Sequence, residues 1–241
     1  MKKYDNERSD VMNYTVVLSG GKGIRLGQER PKQYIEVSGK PVIGYCLDTF
    51  QKHDRIDGIV IVADNSWYEY IKDYISASGI DKFVCFAPAG ISRQHSILNG
   101  LKALKEQKVQ DDSIVIIHDA ARPNVSKEII DSCIDQLQYY DCAMPVLPVK
   151  DTVYMSEDGK EISALLNRDT LFAGQAPESC RLGKYYSINA ELTDAELQEV
   201  RGTSAIAYSK GLSVGLFQGS EKNYKITTAS DLEKFQQETK G

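Results

Sequence analysis

The stretch Tyr14-Thr-Val-Val-Leu-Ser-Gly-Gly-Lys-Gly-Ile-Arg25 runs from a short apolar segment directly into a glycine-rich loop. Its first five residues are mostly β-branched and apolar, as in a strand buried on both faces. Glycines in the loop permit a tight turn that exposes backbone N–H groups, an arrangement suited to phosphate. The stretch therefore predicts a strand-and-loop unit of an α/β protein with an anionic ligand at the end of the strand.

Apolar runs of the same kind recur downstream, and helical patterns alternate with them. The runs are residues 58–63, 82–86, 113–117 and 142–146. Residues 92–105 and 126–138 carry apolar side chains at helical spacing, and Ser92 is a candidate N-cap. Continuous apolar strands between helices predict a parallel sheet in a layered α/β fold with right-handed crossovers.

Residues 148–166 interrupt this alternation. Two short strand patterns flank the turn Glu157-Asp158-Gly159-Lys160, which predicts a protruding β-hairpin arm. Because an isolated hairpin cannot bury both faces, we expect the arm to pack on a partner chain. The predicted organisation is a flexible tail (1–13) and a single domain (14–241) that carries the arm.

The composition narrows the classes of partner. The 241 residues have 41% hydrophobic content and 29 Lys and Arg against 34 Asp and Glu, a formal charge of −5. This mild acidity, without blocks of like charge, argues against nucleic-acid and membrane-surface partners. Residues 1–13 lack the apolar core of a signal peptide, and no window is long and apolar enough for a membrane span. We expect a cytoplasmic protein.

Cysteine and histidine spacing indicates neither a metal site nor a cross-linked scaffold. The five cysteines form no CxxC pair, and the three histidines are far apart in the sequence. These spacings argue against a disulfide framework and a structural zinc site. The cysteines are expected to be buried packing residues rather than catalysts.

The glycine-rich loop differs from two familiar phosphate-binding loops. It lacks the Walker A ending, and the third glycine of a dinucleotide fingerprint arrives one residue late, at Gly27. It adds two fixed cations, Arg25 and, after Pro31, Lys32. A backbone cradle with two cations suits a polyphosphate, and the alternative is a glycine-rich turn with solvated basic residues.

Asp119 is the candidate metal ligand. It lies in His118-Asp-Ala-Ala-Arg-Pro123, after a predicted strand, where α/β sheets bind ligands. One or two carboxylates suffice for a Mg²⁺ ion that bridges phosphates. The alternative is an Asp that caps a turn or pairs with Arg122.

Several strings occur in a fixed order along the chain. They are the glycine-rich loop, Arg93-x-x-Ser96-Ile-x-x-Gly-Leu101, His118–Pro123, Lys150-Asp-Thr152, Asn167-Arg168 and Lys225-Ile-Thr-Thr228. Together they resemble the 2-C-methyl-D-erythritol 4-phosphate cytidylyltransferase family, which includes related ribitol-5-phosphate cytidylyltransferases. The resemblance covers about residues 14–236. The resemblance implies a Rossmann-like, mostly parallel, three-layer sheet of the nucleotidyltransferase type.

The resemblance also implies an activity. CTP and an alditol phosphate would give the CDP-alditol and pyrophosphate, with 2-C-methyl-D-erythritol 4-phosphate favoured as acceptor, in isoprenoid precursor synthesis. The alternative acceptor is ribitol 5-phosphate, for cell-wall or capsule polymers. Remoter alternatives are a nucleotide-sugar glycosyltransferase and a non-catalytic nucleotide sensor.

Site residues follow from the same resemblance, by position in this chain. The implied catalytic cations are Arg25, Lys32 and Lys225. The implied nucleotide-binding residues are Ser19, Gly20, Gly21, Gly23, Gly90, Arg93 and Ser96. Thr152, Arg168 and Thr203 would bind the alditol phosphate, Asp119 would hold Mg²⁺, and the arm would form a homodimer in which Thr152 and Arg168 reach the other subunit's site.

Two of these assignments have purely structural alternatives. Ser96 is equally well explained as a packed helical hydroxyl, and Lys225 alone would be an exposed lysine at the start of a late strand, residues 225–228.

Three positions depart from the family pattern. Gln175-Ala-Pro-Glu178 stands where Gln-Thr-Pro-Gln is usual, and Gly202-Thr203-Ser204 where an acidic residue is expected. Ile91 occupies a position where erythritol-specific enzymes often have Asp. The departures leave the nucleotide-transfer residues in place and bear on the acceptor.

Overall fold

The computed structural model describes residues 11–21, 30–200 and 202–240. Its strands, in chain order, are β1 (Asn13–Leu18), β2 (Glu36–Val37), β3 (Lys40–Pro41), β4 (Gly58–Ala63), β5 (Phe83–Pro88), β6 (Ile114–Asp119), β7 (Cys142–Pro148), β8 (Val153–Met155), β9 (Ala164–Leu166), β10 (Phe172–Gly174), β11 (Glu178–Arg181) and β12 (Val214–Gln218).

The helices of the described residues are, in chain order, α1 (Val42–Lys52), α2 (Tyr68–Ala77), α3 (Arg93–Glu106), α4 (Lys127–Asp135), α5 (Leu182–Ala190), α6 (Asp194–Glu199), α7 (Thr203–Ser209) and α8 (Ala229–Glu238). Ser92 accepts a hydrogen bond from His95 N and caps α3, as the sequence predicts.

An eight-stranded, mostly parallel sheet forms the centre. β1 pairs in parallel with β4 on one side and β6 on the other, and β4 pairs with β5. β11 is inserted antiparallel between β6 and β7, and β7 also pairs with β10 and β12. The five apolar runs of the sequence are all strands of this sheet.

Helices cover both faces of the sheet, which confirms the three-layer prediction. The adjacent β1 residues Val16 and Val17 are both fully buried, yet they pack in different clusters. Val17 packs with residues of α1, α2 and α4, whereas Val16 packs with residues of α3, α5 and α7. Burial on both faces explains why the strands are continuously apolar.

The predicted hairpin is present as β8 and β9. They pair antiparallel, with Tyr154 opposite Leu165, in a two-stranded sheet separate from the central one. Tyr154, Met155 and Leu165 are exposed. The packing of this arm on a partner chain stays a prediction.

Two boundaries predicted from the sequence are wrong. Asn13 is not in a tail, because it begins β1 and its amide N donates to Asp57 Oδ2 at 2.8 Å. Residues 225–228 are not a strand: they form an extended segment in which Ile226 N donates to Ala121 O, and Thr228 caps α8.

One disulfide, between Cys142 and Cys180, is present where none was expected. The two residues face each other on the antiparallel pair β7 and β11, a relationship that their spacing of 38 residues does not reveal. Cys46 and Cys133 are buried thiols, as predicted. Across the described residues, no helix is long and apolar enough to cross a membrane.

Candidate functional site

A cavity of about 790 Å³ opens at the carboxyl ends of β1, β5 and β6. This is the edge at which parallel α/β sheets bind ligands, and the volume suits a small organic ligand. The lining residues are Leu18, Gly20, Gly21, Lys32, Gln33, Asp64, Ala89, Gly90, Ile91, Ser92, Arg93, Ser96, Asp119, Ala121, Lys225 and Thr227.

Buried hydrogen bonds fix the start of the glycine-rich loop. Gln33 Nε2 donates to the carbonyl oxygens of both Ser19 and Gly21, at 2.7 Å each. Ser19 Oγ donates to the Tyr34 hydroxyl at 2.7 Å, and that hydroxyl donates to Ser19 O at 3.0 Å. Ser19 is therefore buried behind the loop and holds its backbone, and Gly20 and Gly21 face the cavity.

Aromatic rings support the same segment from below. Tyr34 stacks on Trp67 with ring centroids 4.3 Å apart, and Tyr70 meets both rings edge-on. The Arg30 guanidinium lies 5.8 Å from the Trp67 ring and 5.2 Å from the Tyr70 ring. Lys32 follows directly in a short 3-10 helix, Lys32–Tyr34, so this packing positions it at the cavity.

Two glycines allow close packing here: Gly20 brings the loop after β1 against the loop after β5, and Gly90 brings the loop after β5 against α3. A Cβ on Gly20 would lie 2.4 Å from the Ala89 Cβ, and a Cβ on Gly90 would lie 2.3 Å from the His95 Cβ. Gly90 N donates to Ser96 Oγ at 2.9 Å, and that hydroxyl donates to Ser92 O at 3.1 Å. Ser96 thus both lines the cavity and holds the turn into α3.

Asp119 is the carboxylate that the cations Arg93 and Lys225 contact in the cavity. Its Oδ1 accepts from Arg93 Nε at 3.3 Å, and its Oδ2 accepts from Lys225 Nζ at 2.8 Å. Burial opposes ionisation of Asp119, but Arg93 and Lys225 outweigh it and hold the pKa of this carboxyl well below its usual range. Asp119 is therefore an anion throughout the neutral pH range.

Arg93 is held by three acceptors. Besides Asp119, it donates from Nη1 to Thr203 Oγ1 at 3.0 Å and from Nη2 to Glu178 Oε1 at 3.4 Å. Burial disfavours the charged guanidinium, but Asp119 and Glu178 outweigh it and raise the pKa of Arg93. Thr203 is fully buried and contacts Arg93 rather than the cavity.

Lys225 reaches Asp119 because the chain on both sides of it is anchored. Ile226 is fully buried against Val37, Val42 and Phe235. On the other side, Asn223 is fully buried, and its carbonyl oxygen accepts from Arg122 Nη1 at 2.7 Å. The lysine therefore extends from a fixed segment.

His118 and Arg122 orient the loop after β6. His118 Nε2 donates to Arg122 O at 2.9 Å, and its ring packs edge-on against Phe50. Burial lowers the pKa of His118 to about 4, so the imidazole is neutral at pH 7.

The donor set around Asp119 fits a magnesium ion that is shared with a phosphorylated ligand. No group of three or more potential His, Cys, Asp or Glu ligands gathers within residues 11–21, 30–200 and 202–240. A Mg²⁺ ion at Asp119 would therefore take most of its ligands from phosphate oxygens and water, its usual mode beside nucleotides. A carboxylate has about four lone-pair sites, so Asp119 can accept from a cation and bind a metal together.

Most of the predicted site residues come together in this cavity. Its lining includes Gly20, Gly21, Lys32, Gly90, Arg93, Ser96, Asp119 and Lys225. Ser19 and Thr203 are buried beside it. Thr152 and Arg168 are exposed on the arm, where Arg168 Nη1 donates to Lys150 O at 3.0 Å. Gly23 and Arg25 lie outside the described residues.

Two important residues were not assigned a role from the sequence. Gln33 directly follows Lys32 in the sequence, and this position next to a predicted cation was the available signal. Glu178 was noted only as a departure from a family pattern, although its carboxylate accepts from Ser204 N at 2.7 Å beside Arg93. Glu178 thus places a carboxylate next to Ser204, at the start of α7.

Comparison with known proteins gives the family. A model described as IspD, 2-C-methyl-D-erythritol 4-phosphate cytidylyltransferase, matches residues 14–237. The chain belongs to this family. It is accordingly a cytidylyltransferase, a nucleotidyltransferase by activity, as the resemblance implied.

Relatives with two different names match almost the whole chain. A ribitol-5-phosphate cytidylyltransferase of Streptococcus agalactiae serotype V is 30% identical over 226 residues, 93% of this chain and 94% of the relative. A 2-C-methyl-D-erythritol 4-phosphate cytidylyltransferase of Clostridium botulinum is 34% identical over 220 residues, 91% of this chain and 94% of the relative.

Solved structures of the family share the fold. The 2-C-methyl-D-erythritol 4-phosphate cytidylyltransferase of Francisella tularensis has a TM-score of 0.76 at 26% identity, over 93% of this chain and 99% of that chain. The 4-diphosphocytidyl-2C-methyl-D-erythritol synthase of Anaerococcus prevotii has a TM-score of 0.80 at 24% identity, over 96% and 97% of the two chains.

Proposed function

We propose that this cytidylyltransferase joins CTP to an alditol phosphate and releases pyrophosphate. The observation that carries the proposal is the cavity itself, in which Arg93 and Lys225 contact the buried Asp119 carboxylate, and Lys32 and glycine backbone line the same space. Two polyanions must meet in this reaction, so cations fixed around a preformed cleft are the required feature.

The transfer follows from positioning and charge. A phosphate oxygen of the acceptor attacks the α-phosphorus of CTP, and the bond to the pyrophosphate leaving group breaks. Lys32 and Lys225 would neutralise the negative charge that the two substrates bring together, and Gly20 and Gly21 would let the triphosphate approach the backbone. Arg25, outside the described residues, is proposed as a further cation of this set.

Magnesium is proposed as the metal, with Asp119 as its protein ligand. When bound, it would supply charge neutralisation and orientation of the triphosphate. Asp119 is suited to this because it is anionic at neutral pH and lies at the cavity floor, 8% exposed.

The acceptor favoured from the sequence is 2-C-methyl-D-erythritol 4-phosphate. Ribitol 5-phosphate is the second candidate, because relatives from Streptococcus agalactiae and Lacticaseibacillus paracasei carry that activity in their names. Ile91, 76% exposed at the rim of the cavity, also departs from the erythritol-specific pattern.

A homodimer through the arm is part of the proposal. Apolar side chains are exposed along it at Tyr154, Met155, Ile162 and Leu165, and a second copy would cover them. Thr152 and Arg168 lie at the base of the arm, and Arg168 can bind a phosphate with two parallel hydrogen bonds. In a dimer, both would act at the partner's cavity.

Pyrophosphate release tests the function. The purified protein is given CTP, or UTP as a control, with each alditol phosphate in turn, with Mg²⁺ and then with excess chelator. We expect release with CTP and one acceptor, lost on chelation and restored by added Mg²⁺. Asp119→Asn is the matched inactive control. If the wild-type protein released pyrophosphate with neither acceptor, the proposal would be overturned.

A further inference from the structure

Glu178 is a buried carboxylate at the start of β11, only 6% exposed. The antiparallel register of β11 and β6 sets Glu178 opposite Ile117, two residues before Asp119. Its two oxygens have different partners: Oε1 accepts from Arg93 Nη2 at 3.4 Å, and Oε2 accepts from Ser204 N at 2.7 Å. Glu178 therefore links α3, α7 and the end of β6.

Each of the three nitrogens of the Arg93 guanidinium donates to a residue of a different element. Nε contacts Asp119 of β6, Nη1 contacts Thr203 of α7, and Nη2 contacts Glu178 of β11. Because a guanidinium is planar and its donors diverge at fixed angles, three acceptors in these directions define its orientation. Removal of Glu178 would leave two of these three hydrogen bonds, so the plane would be held less firmly against Asp119.

The negative charge of Glu178 acts on two neighbouring arginines. It raises the pKa of Arg93, together with Asp119. It also acts on Arg122. Burial lowers the pKa of Arg122, and Asp119 and Glu178 only partly oppose this. A neutral amide at this position would keep the shape of the side chain and lose this attraction.

We propose that Glu178 is a positioning residue of the transfer reaction, which acts by orienting Arg93 against Asp119. The inference rests on the proposed function and deepens it. With Arg93 fixed on Oδ1, Asp119 presents Oδ2 toward Lys225 and the cavity. Glu178 also accepts from Ser204 N, so it holds the start of α7 beside Arg93.

Glu178→Gln tests the proposal, because glutamine keeps an acceptor for Ser204 N and removes the charge that faces Arg93. We expect kcat to fall about tenfold, the factor that corresponds to the loss of one charge-assisted hydrogen bond. The KM for CTP should stay within about twofold, because Glu178 does not line the cavity. Glu69→Gln, which neutralises an exposed carboxylate paired with Lys72, is the matched control and should leave kcat unchanged.

A double-mutant cycle shows whether Glu178 acts through Arg93. In an Arg93→Met background, Glu178→Gln should cause no further loss of kcat, because the group that it orients is gone. A further tenfold loss there would overturn the proposal, as would an unchanged kcat of Glu178→Gln in the wild-type background.

Thr203→Val keeps the proposal testable if Glu178→Gln does not fold. It removes a different acceptor of the same guanidinium and should lower kcat in the same direction, with the KM for CTP preserved. An unchanged kcat in a folded Thr203→Val protein would then contradict the proposal. Wild-type protein that releases no pyrophosphate with any acceptor would instead refute the proposed function, so the two failures are distinct.

Discussion

Lys225 Nζ lies 2.8 Å from Asp119 Oδ2, although the two residues are 106 positions apart in the sequence. Asp119 ends β6, and Lys225 extends from a segment whose neighbours Asn223 and Ile226 are fully buried. The positive charge thus reaches the carboxylate because the chain on both sides is anchored in the core. A polyphosphate in the cavity would find this cation already in place.

Replacement of Lys225 by methionine should lower pyrophosphate release about 100-fold or more, the usual effect of removing a group that stabilises transition-state charge. Methionine keeps much of the aliphatic length, so the fold should be retained. The matched control is Lys222→Met, an exposed lysine three residues earlier. Near-normal kcat for Lys225→Met would refute the role assigned to Lys225.

Replacement of Gly90 by alanine should destabilise the apo-protein by about 1–3 kcal/mol, the typical cost of overpacking. The added Cβ would lie 2.3 Å from the His95 Cβ and 2.8 Å from Ser96 N. Gly21→Ala is the control, since its Cβ would meet no atom of the described residues within 4 Å. Denaturant unfolding without nucleotide measures both, and equal stabilities would show that the Gly90 contact is not tight.

Most of the sheet could be predicted from the sequence because its strands are buried on both faces. The run of residues 58–63 matches β4, and Ser92 caps α3 as its position indicates. β12 was missed, since Gly215 and the polar Gln218 interrupt its apolar run. Residues 225–228 look like a strand because Ile226 is followed by two β-branched threonines, yet the backbone hydrogen bond from Ile226 N goes to Ala121 O, beyond the end of β6 at Asp119.

The site was predicted where one segment carries its own signal, and missed where distant segments combine. Glycines next to lysine pointed to the loop, and Asp119 followed a recognisable strand. The link from Glu178 to Arg93 depends on the register of an antiparallel strand inserted beside β6, which no local pattern encodes. Cys142 and Cys180 pair for the same reason.

His53 should make the protein less stable as the pH falls below about 6.5, the ordinary pKa of histidine. Burial lowers the pKa of His53 in the folded protein, and Asp131 only partly opposes this. Between the two pKa values the unfolded chain binds the proton more readily, so the free energy of unfolding falls with pH until the folded-state pKa is passed.

His53→Asn isolates this contribution. Asparagine can still accept from Arg55 N, as His53 Nδ1 does at 3.2 Å. Urea unfolding at pH 5 to 8 should show a smaller loss of stability at low pH for the variant than for the wild type. Parallel curves for the two proteins over this range would contradict the assigned pKa direction.

Leu165→Asp should shift the protein from dimer to monomer, because it puts a charge on the exposed apolar surface of the arm, where Leu165 is 66% exposed. Leu216→Asp is the matched control, since Leu216 is 51% exposed on β12, outside the arm. Light scattering gives the molar mass of each. A wild-type monomer, or a Leu165→Asp dimer, would contradict the proposed interface.

Trp67, whose ring stacks on Tyr34 below the glycine-rich loop, is the only tryptophan in the chain. Tyr34 in turn shares hydrogen bonds with Ser19, the residue before the loop glycines. The protein therefore contains a single tryptophan fluorophore two contacts from its glycine-rich loop. We expect tryptophan emission, excited apart from the tyrosines, to report occupancy of the cavity in the unmodified protein, without an attached dye.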